Sequence, residues 1–370
     1  MSPIRVLQVV THMDRGGLES MLMNYYRHID REKIQFDFLE HRRDRAAFDD
    51  EIEALGGRIY HLPRLVPWSK SYLSALNRFF DEHTGYKVVH VHQDCLSSVI
   101  LKAAKQHDVP VRIAHSHSAN QDKNLKYPIK LWYKRSIPEY ATNLFACGKD
   151  AGDWMFGGAS CQIINNAIDV AAYTYGPTKR QEMRRQLGLE NEFTIGHVGR
   201  FNQPKNHPFL IDIFAALLKK EPNAALLLVG GGADMPKIQA KAQEFGIAEH
   251  VRFLGVRSDV ADLMQAMDVF VFPSLYEGLP VTMVEAQAAG LPCIISDKVP
   301  PECILTEGLV DVLPLSAELE IWAAKILEKK NLPRTDRRSE IAAHGFDITT
   351  EVVKLQEFYI KSVEEHKLCQ

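Results

Sequence analysis

Arg200 and Lys205 stand five residues apart in GHVGRFNQPKNH (196–207), in the loop that follows an apolar run ending at Val198. Two cations held at the carboxyl end of a strand suit a diphosphate, because open parallel sheets bind ligands in the crevice there and phosphate oxygens take charge-assisted hydrogen bonds. Further along, FPSLYEGLPVTMVEAQAAGLP (272–292) puts Glu277 and Gly278 in a turn, Pro280 at a first helical position and Gly290 after the helix end. The amide groups from Gly278 onward then form a positive helix start, with Glu285 about two turns from Glu277 on that helix's flank. Carboxylates accept hydrogen bonds from hydroxyls, so the two glutamates can hold two sugars on either side of a diphosphate. Each also has a plainer reading, Glu277 as a helix-start charge and Glu285 as a surface residue. In THMDRGGLES (11–20) a strand ends in Gly16 and Gly17 before a helix opens at Leu18, which exposes unpaired N–H groups of the kind that receive phosphate. In VRIAHSHSANQDKNLKYP (111–128), His115 and His117 lie two apart on an extended segment and so point the same way. His90 and His92, near the end of another strand, read as structural.

These residues need a frame that presents strand ends. Short β-branched runs at 4–10, 35–39, 58–62, 88–91, 111–114, 144–146 and 161–164 alternate with segments of helical period, and the rhythm restarts at 194–198, 225–229, 251–253, 269–272 and 293–295. Continuous apolar runs such as ALLLV and VFVF suit strands covered on both faces of a parallel sheet. The fold class is therefore α/β, with two doubly wound sheets. The turn-rich and then charged stretch 168–192 reads as the connection, giving domains 1–168 and 169–348. Residues 349–370 form a C-terminal amphipathic helix able to pack back on the first domain.

Composition narrows the function. The 370 residues are 46% hydrophobic and 25% charged, which is ordinary globular usage, and a net charge of −3 gives no case for a nucleic-acid partner. The charge is uneven: residues 1–168 carry 22 basic against 19 acidic groups, the rest 22 against 28. Six cysteines without C-x-x-C spacing read as free thiols of a reducing compartment and not as metal ligands. The start of the chain lacks a signal-peptide pattern and no apolar run approaches the roughly 20 residues of a membrane span, so a cytoplasmic protein is expected, one that touches a membrane at most from its surface. No D-x-D occurs, so no carboxylate pair is spaced to hold a metal on a nucleotide sugar, and no cofactor or metal is expected.

The segment from Glu277 to Glu285 resembles the E-x7-E signature of retaining glycosyltransferases of family 4, which have the GT-B fold of two Rossmann-like domains facing each other across a cleft. Val198, Gly199, Arg200 and Lys205, the pair Gly16 and Gly17, and an Asn at 165 or 166 resemble further motifs of that family, in the same order. The resemblance implies that Arg200 and Lys205 neutralise a leaving diphosphate, assisted by the N–H groups of Gly17, Gly278 and Leu279. It implies that Glu285 binds the nucleotide ribose and that Glu277 holds the donor sugar. The base would be read by backbone at Gly255, Val256 and Arg257, with uracil the commonest base there. A first-domain histidine lies over the donor sugar in this family, and His115 is the better match, with His117 as its rival. The implied reaction is a metal-independent front-face displacement with retention.

For the acceptor, the stretch 123–140 interleaves Lys123, Lys126, Lys130, Lys134 and Arg135 with Trp132 and other apolar residues. That pattern suits an anionic membrane or the diphosphate of a lipid carrier, or else a surface helix whose apolar side packs inward. The expected partners are a UDP-sugar and a polyprenyl-diphosphate-linked saccharide, in surface-polysaccharide assembly at the inner membrane face. Alternatives are a nucleotide-sugar 2-epimerase of similar fold and a non-catalytic saccharide-binding protein. An NAD-dependent oxidoreductase is disfavoured because neither glycine-rich turn fits G-x-G-x-x-G.

Overall fold

The computed structural model describes residues 2–118 and 127–368. The chain forms two compact units, Met1–Ala167 with Ile348–Gln370, and Ile168–Asp347.

The first unit runs β1 (Ile4–Val9), α1 (Gly17–His28), β2 (Ile34–Glu40), α2 (Asp49–Ala54), β3 (Ile59–His61), α3 (Lys70–Glu82), β4 (Val88–Val91), α4 (Ser97–Gln106), β5 (Val111–Ser116), α5 (Tyr127–Arg135), α6 (Ile137–Tyr140), β6 (Asn143–Ala146), α7 (Lys149–Phe156) and β7 (Gln162–Ile163). Its seven strands pair in parallel in the order β3-β2-β1-β4-β5-β6-β7. Alternate residues of β1 serve opposite faces, Val6 in one apolar cluster and Leu7 and Val9 in the other. Both faces are covered, which is why the strands read as near-continuous apolar runs.

The second unit runs α8 (Val170–Tyr173), α9 (Pro177–Leu187), β8 (Phe193–Val198), α10 (His207–Leu218), β9 (Ala224–Val229), α11 (Met235–Glu244), β10 (Val251–Gly255), α12 (Val260–Ala266), β11 (Val269–Phe272), α13 (Val281–Ala288), β12 (Cys293–Ser296), β13 (Val310–Leu313), α14 (Leu319–Glu328) and α15 (Arg338–Ala343). Its six strands are parallel in the order β10-β9-β8-β11-β12-β13. The same division of faces holds, with Val269 and Val271 in one cluster and Phe270 and Phe272 in the other. Helix α16 (Ile348–Leu368) closes the chain on the first unit. Its Ile348, Val352, Leu355, Tyr359 and Val363 fall three or four apart and join that unit's core.

In each sheet the strand order reverses beside the first strand, between β1 and β4 and between β8 and β11. Loops at the carboxyl ends flanking such a reversal diverge and leave room for a ligand. The Gly16–Gly17 turn follows β1, and His92 follows β4. The loop with Arg200 and Lys205 follows β8, and that with Glu277 follows β11.

Several local expectations are corrected. Residues 168–192 are not a free connection: they hold α8 and α9 and belong to the second unit. Their charges fold inward, with Arg184 donating to the Ala266 carbonyl (2.8 Å) and the Leu189 carbonyl (2.6 Å), and both Arg180 and Arg184 pairing with Asp268. Helix α1 opens one residue early, at Gly17, and Pro280 caps α13 from outside instead of forming its first turn. The edge strand β13 was not foreseen, because VDVL is short and only half-buried. Cys95, Cys147, Cys161, Cys293 and Cys303 are free, and Cys369 lies outside the described residues.

Candidate active site

In the second unit two loops are sewn together. The Leu275 N–H donates to the Pro204 carbonyl at 2.8 Å, and the Asn206 side-chain amide donates to the Pro273 carbonyl at 3.1 Å. This sets Lys205 Nζ 2.8 Å from Glu277 Oε1 and 4.6 Å from the centre of the Phe272 ring. Both side chains are largely shielded, 17% and 11% exposed. Gly199 makes room for the lysine, since a Cβ there would stand 3.2 Å from Lys205 Cδ. Gly230 (φ +136°) lets the neighbouring loop approach, since a Cβ on it would lie 2.1 Å from the Gly199 carbonyl oxygen. Arg200 is exposed, and its guanidinium has no hydrogen bond or ion pair among the described residues.

The start of α13 carries no side-chain cap, and Gly278 before it is exposed. Its N–H groups therefore face outward as a partial positive charge. Two turns on, Glu285 Oε1 accepts a hydrogen bond from the Tyr173 hydroxyl at 2.7 Å, and burial raises its carboxyl above the ordinary range. Gly255 (φ +67°) ends β10 and accepts from the Gly230 N–H at 2.8 Å. Val256 beside it is exposed, while the Arg257 guanidinium is taken by Asp259 at 2.5 Å, so backbone is what this loop offers a ligand. The structure thus brings Lys205 and Glu277 into contact and sets Arg200 in the same loop as Lys205.

In the first unit, Gly16 caps α1 without a side-chain bond, and the Glu19 carboxylate lies over it, 2.3 Å from where a Cβ would be. His115 and His117 do point the same way, with ring centres 4.0 Å apart. Against expectation, His90 and His92 join them: His90 Nε2 lies 3.1 Å from His115 Nδ1, and His92 Nδ1 lies 2.8 Å from His117 Nε2. Behind them, His90 Nδ1 meets the Tyr359 hydroxyl (2.8 Å) and His92 Nε2 meets Gln8 Oε1 (2.9 Å). Burial drives all four rings well below the ordinary imidazole range, His117 to about 3, so the cluster is neutral. The signal for this partnership was the repeated H-x-H on adjacent strand ends. Gln8 and Tyr359 gave none.

His90, His92 and His115 bring ring nitrogens within 4.8 Å of one another, near enough for a three-histidine metal site, which sequence reasoning did not name. Both nitrogens of His90 and of His92, and Nδ1 of His115, are engaged with another ring, with Tyr359 or with Gln8, and a metal held by all three rings would have to displace bonds of His90 and His92. Of the basic patch, Lys123 and Lys126 lie outside the described residues. On α5, Trp132 is 65% exposed and Arg135 is exposed. Lys134 turns back, donating to the Trp154 carbonyl over that ring, and so is withdrawn from the patch.

Residues 15–172 match the family model described as Glycosyltransferase Family 4, and residues 179–331 match Glycosyl transferases group 1. The chain is 36% identical to EpsF of Bacillus subtilis (strain 168), named as a glycosyltransferase, over 98% of this chain and 97% of that one. This chain belongs to glycosyltransferase family 4. The glycosyltransferase is also 25% identical to the Staphylococcus aureus capsular polysaccharide biosynthesis glycosyltransferase CapH, over 96% of this chain and 99% of that one. It is 26% identical to an Escherichia coli UDP-Gal:alpha-D-GlcNAc-diphosphoundecaprenol alpha-1,3-galactosyltransferase, over 75% and 76%. Its fold matches that of Anabaena HepE, solved with UDP and glucose, with a TM-score of 0.79 and 19% identity over 97% of this chain and 100% of that one. The two parallel sheets are those of a GT-B glycosyltransferase, and the chain is a hexosyltransferase. Among the described residues no helix is long and apolar enough to cross a membrane.

Proposed function

We propose that this chain is a retaining, metal-independent glycosyltransferase that moves a hexosyl or N-acetylhexosaminyl group from a UDP-sugar to a lipid-linked saccharide. The observation that carries the reading is the contact between Lys205 and Glu277 beside the unpaired Arg200, next to an uncapped helix start. A diphosphate needs cations and N–H donors, a sugar needs a carboxylate acceptor, and both sets stand together here. HepE, of like fold, was solved with UDP and glucose, and the name of the E. coli relative states a UDP-sugar donor, which supports uracil as the base.

In this reading Arg200, Lys205 and the N–H groups of Gly278 and Leu279 hold the diphosphate and stabilise the charge that builds on it as it leaves. In unit 1 the Gly17 N–H at the start of α1 is a further donor for phosphate. Glu285 takes the ribose hydroxyls, exchanging its bond to Tyr173 for them, and backbone at Gly255, Val256 and Arg257 reads the base. Glu277 holds donor-sugar hydroxyls, and in unit 1 His115 hydrogen-bonds a saccharide hydroxyl. The acceptor oxygen bonds to the anomeric carbon on the face from which the diphosphate departs. The electron pair of the broken bond goes to the phosphate oxygen, which takes the acceptor's proton. Unit 1 takes the acceptor, with Trp132, Lys130 and Arg135 of α5 against an anionic membrane surface at its cytoplasmic side. The E. coli relative, whose name specifies a diphosphoundecaprenol-linked acceptor, supports that choice.

Glu277→Ala, Lys205→Ala and Arg200→Ala are each expected to lower turnover by about 100-fold or more, measured as UDP release with an undecaprenyl-diphosphate-linked acceptor. Near-normal turnover in all three would overturn the site. Product analysis with and without acceptor separates transfer from epimerisation, since an epimerase converts the sugar without an acceptor.

A further inference from the structure

The four-histidine cluster in unit 1 ends in two open ring nitrogens. His115 Nε2 and His117 Nδ1 are both buried and have no hydrogen bond among the described residues. A neutral imidazole has one donor and one acceptor nitrogen, so a proton fixed at one end of a chain of rings fixes every ring in it. One chain runs from the Tyr359 hydroxyl through His90 to His115, and the other from Gln8 through His92 to His117. The chains are joined at their closed end, where Gln8 Nε2 lies 3.4 Å from the Tyr359 hydroxyl oxygen.

In the structure the Gln8 amide oxygen faces His92 and its NH₂ faces Tyr359. That oxygen accepts from His92 Nε2–H, so His92 Nδ1 is bare and accepts from His117 Nε2–H, which leaves His117 Nδ1 a bare acceptor. The Gln8 NH₂ donates to the Tyr359 oxygen, and the Tyr359 hydroxyl donates to His90 Nδ1. His90 Nε2–H then donates to His115 Nδ1, which leaves His115 Nε2–H a free donor. Turning the Gln8 amide by 180° reverses every bond, and then His115 accepts while His117 donates. Any other arrangement leaves a buried polar group of at least one of the six residues unmatched, which is costly. In both satisfied arrangements the two open nitrogens have opposite character.

We infer that His115 and His117 together form a receptor for one saccharide hydroxyl, and that Gln8 and Tyr359 are positioning residues that force one ring to donate to it and the other to accept from it. A hydroxyl is the group that both donates and accepts through a single atom, which matches a pair of open nitrogens on rings 4.0 Å apart. The inference rests on the proposed role of unit 1 in holding saccharide and extends it from His115 alone to a six-residue device. Tyr359, on α16, thereby acts on the site from the end of the chain.

The test is long-range ¹H–¹⁵N correlation on histidine-labelled protein at pH 7.5, with signals assigned from His90→Gln, His92→Gln, His115→Gln and His117→Gln. The expected result is four neutral rings sharing one tautomer, all Nε2–H or all Nδ1–H. A mixture of tautomers among the four in the unaltered protein, or an imidazolium among them, would overturn the inference. Tyr359→Phe keeps the packed ring and removes the link. It should uncouple the two chains and free the Gln8 amide to turn, so that the four rings no longer share one tautomer. Turnover should fall about tenfold, the scale of one hydrogen bond, with UDP affinity unchanged. Normal turnover in Tyr359→Phe would defeat the hydroxyl receptor, whereas normal turnover in Lys205→Ala would defeat the donor-site reading, so the two failures are distinct.

Discussion

Lys205 and Glu277 hold each other at 2.8 Å, and each has a separate task in the proposed reaction, the lysine on phosphate and the glutamate on sugar. The pair therefore competes with the nucleotide for the lysine. Glu277→Gln removes a negative charge from beside the diphosphate site, so it should tighten UDP binding by about threefold to tenfold while lowering turnover about 100-fold. Calorimetry of UDP and initial rates on the same protein check both signs, and weaker UDP binding would show that Glu277 serves the nucleotide directly. The sequence carried the identities of these residues because spacing and residue type were enough to suggest them. It did not carry the network behind His115, since Gln8 and Tyr359 are 351 positions apart in the chain and only the fold joins them.

At the scale of elements, what places the site is the covered parallel sheet. Phe270 on β11 is fully buried among residues of the second unit's core, one turn of the pleat away from the loop with Glu277. Phe270→Ala should cost about 3–5 kcal/mol in urea unfolding, and a loss below about 1 kcal/mol would mean the core there is loosely packed. Strands were legible because β-branched runs on a two-sided sheet are continuous; β13 was not, because a half-buried edge needs no such run. The stretch 168–192 misled for a related reason. Arginines normally mark a solvated linker, but Arg180 and Arg184 are drawn inward by Asp268 and by carbonyl groups left open where α12 ends, and only tertiary structure supplies those partners.

At the scale of the whole molecule, the two units should respond differently to acid. In unit 1, His41, His90, His92, His115 and His117 are all held below the ordinary imidazole value by burial. Each is neutral when folded and takes a proton when unfolded below about pH 6.5, so its stabilisation is present above that pH and is lost as pH falls. Glu40 acts in the opposite sense, because burial raises its carboxyl to about 7 and the folded form holds the proton first. Five histidines outnumber the one carboxyl, so unit 1 should lose stability as pH falls below about 6.5. Unit 2 has fewer such groups, with His197 and His207 lowered by burial, so unfolding followed at several pH values should show unit 1 yielding first. Unit 2 yielding first would mean the histidine cluster is not neutral when folded.

The central claim is that unit 2 takes the diphosphate of a uridine nucleotide on Arg200 and Lys205 without a metal. The direct measurement is calorimetric titration of UDP into the full chain in EDTA, with Arg200→Ala and Lys205→Ala alongside. Binding in the unaltered chain that weakens at least about tenfold in each variant is the expected result. Equal affinity in all three, or no binding until a divalent ion is restored, would contradict it.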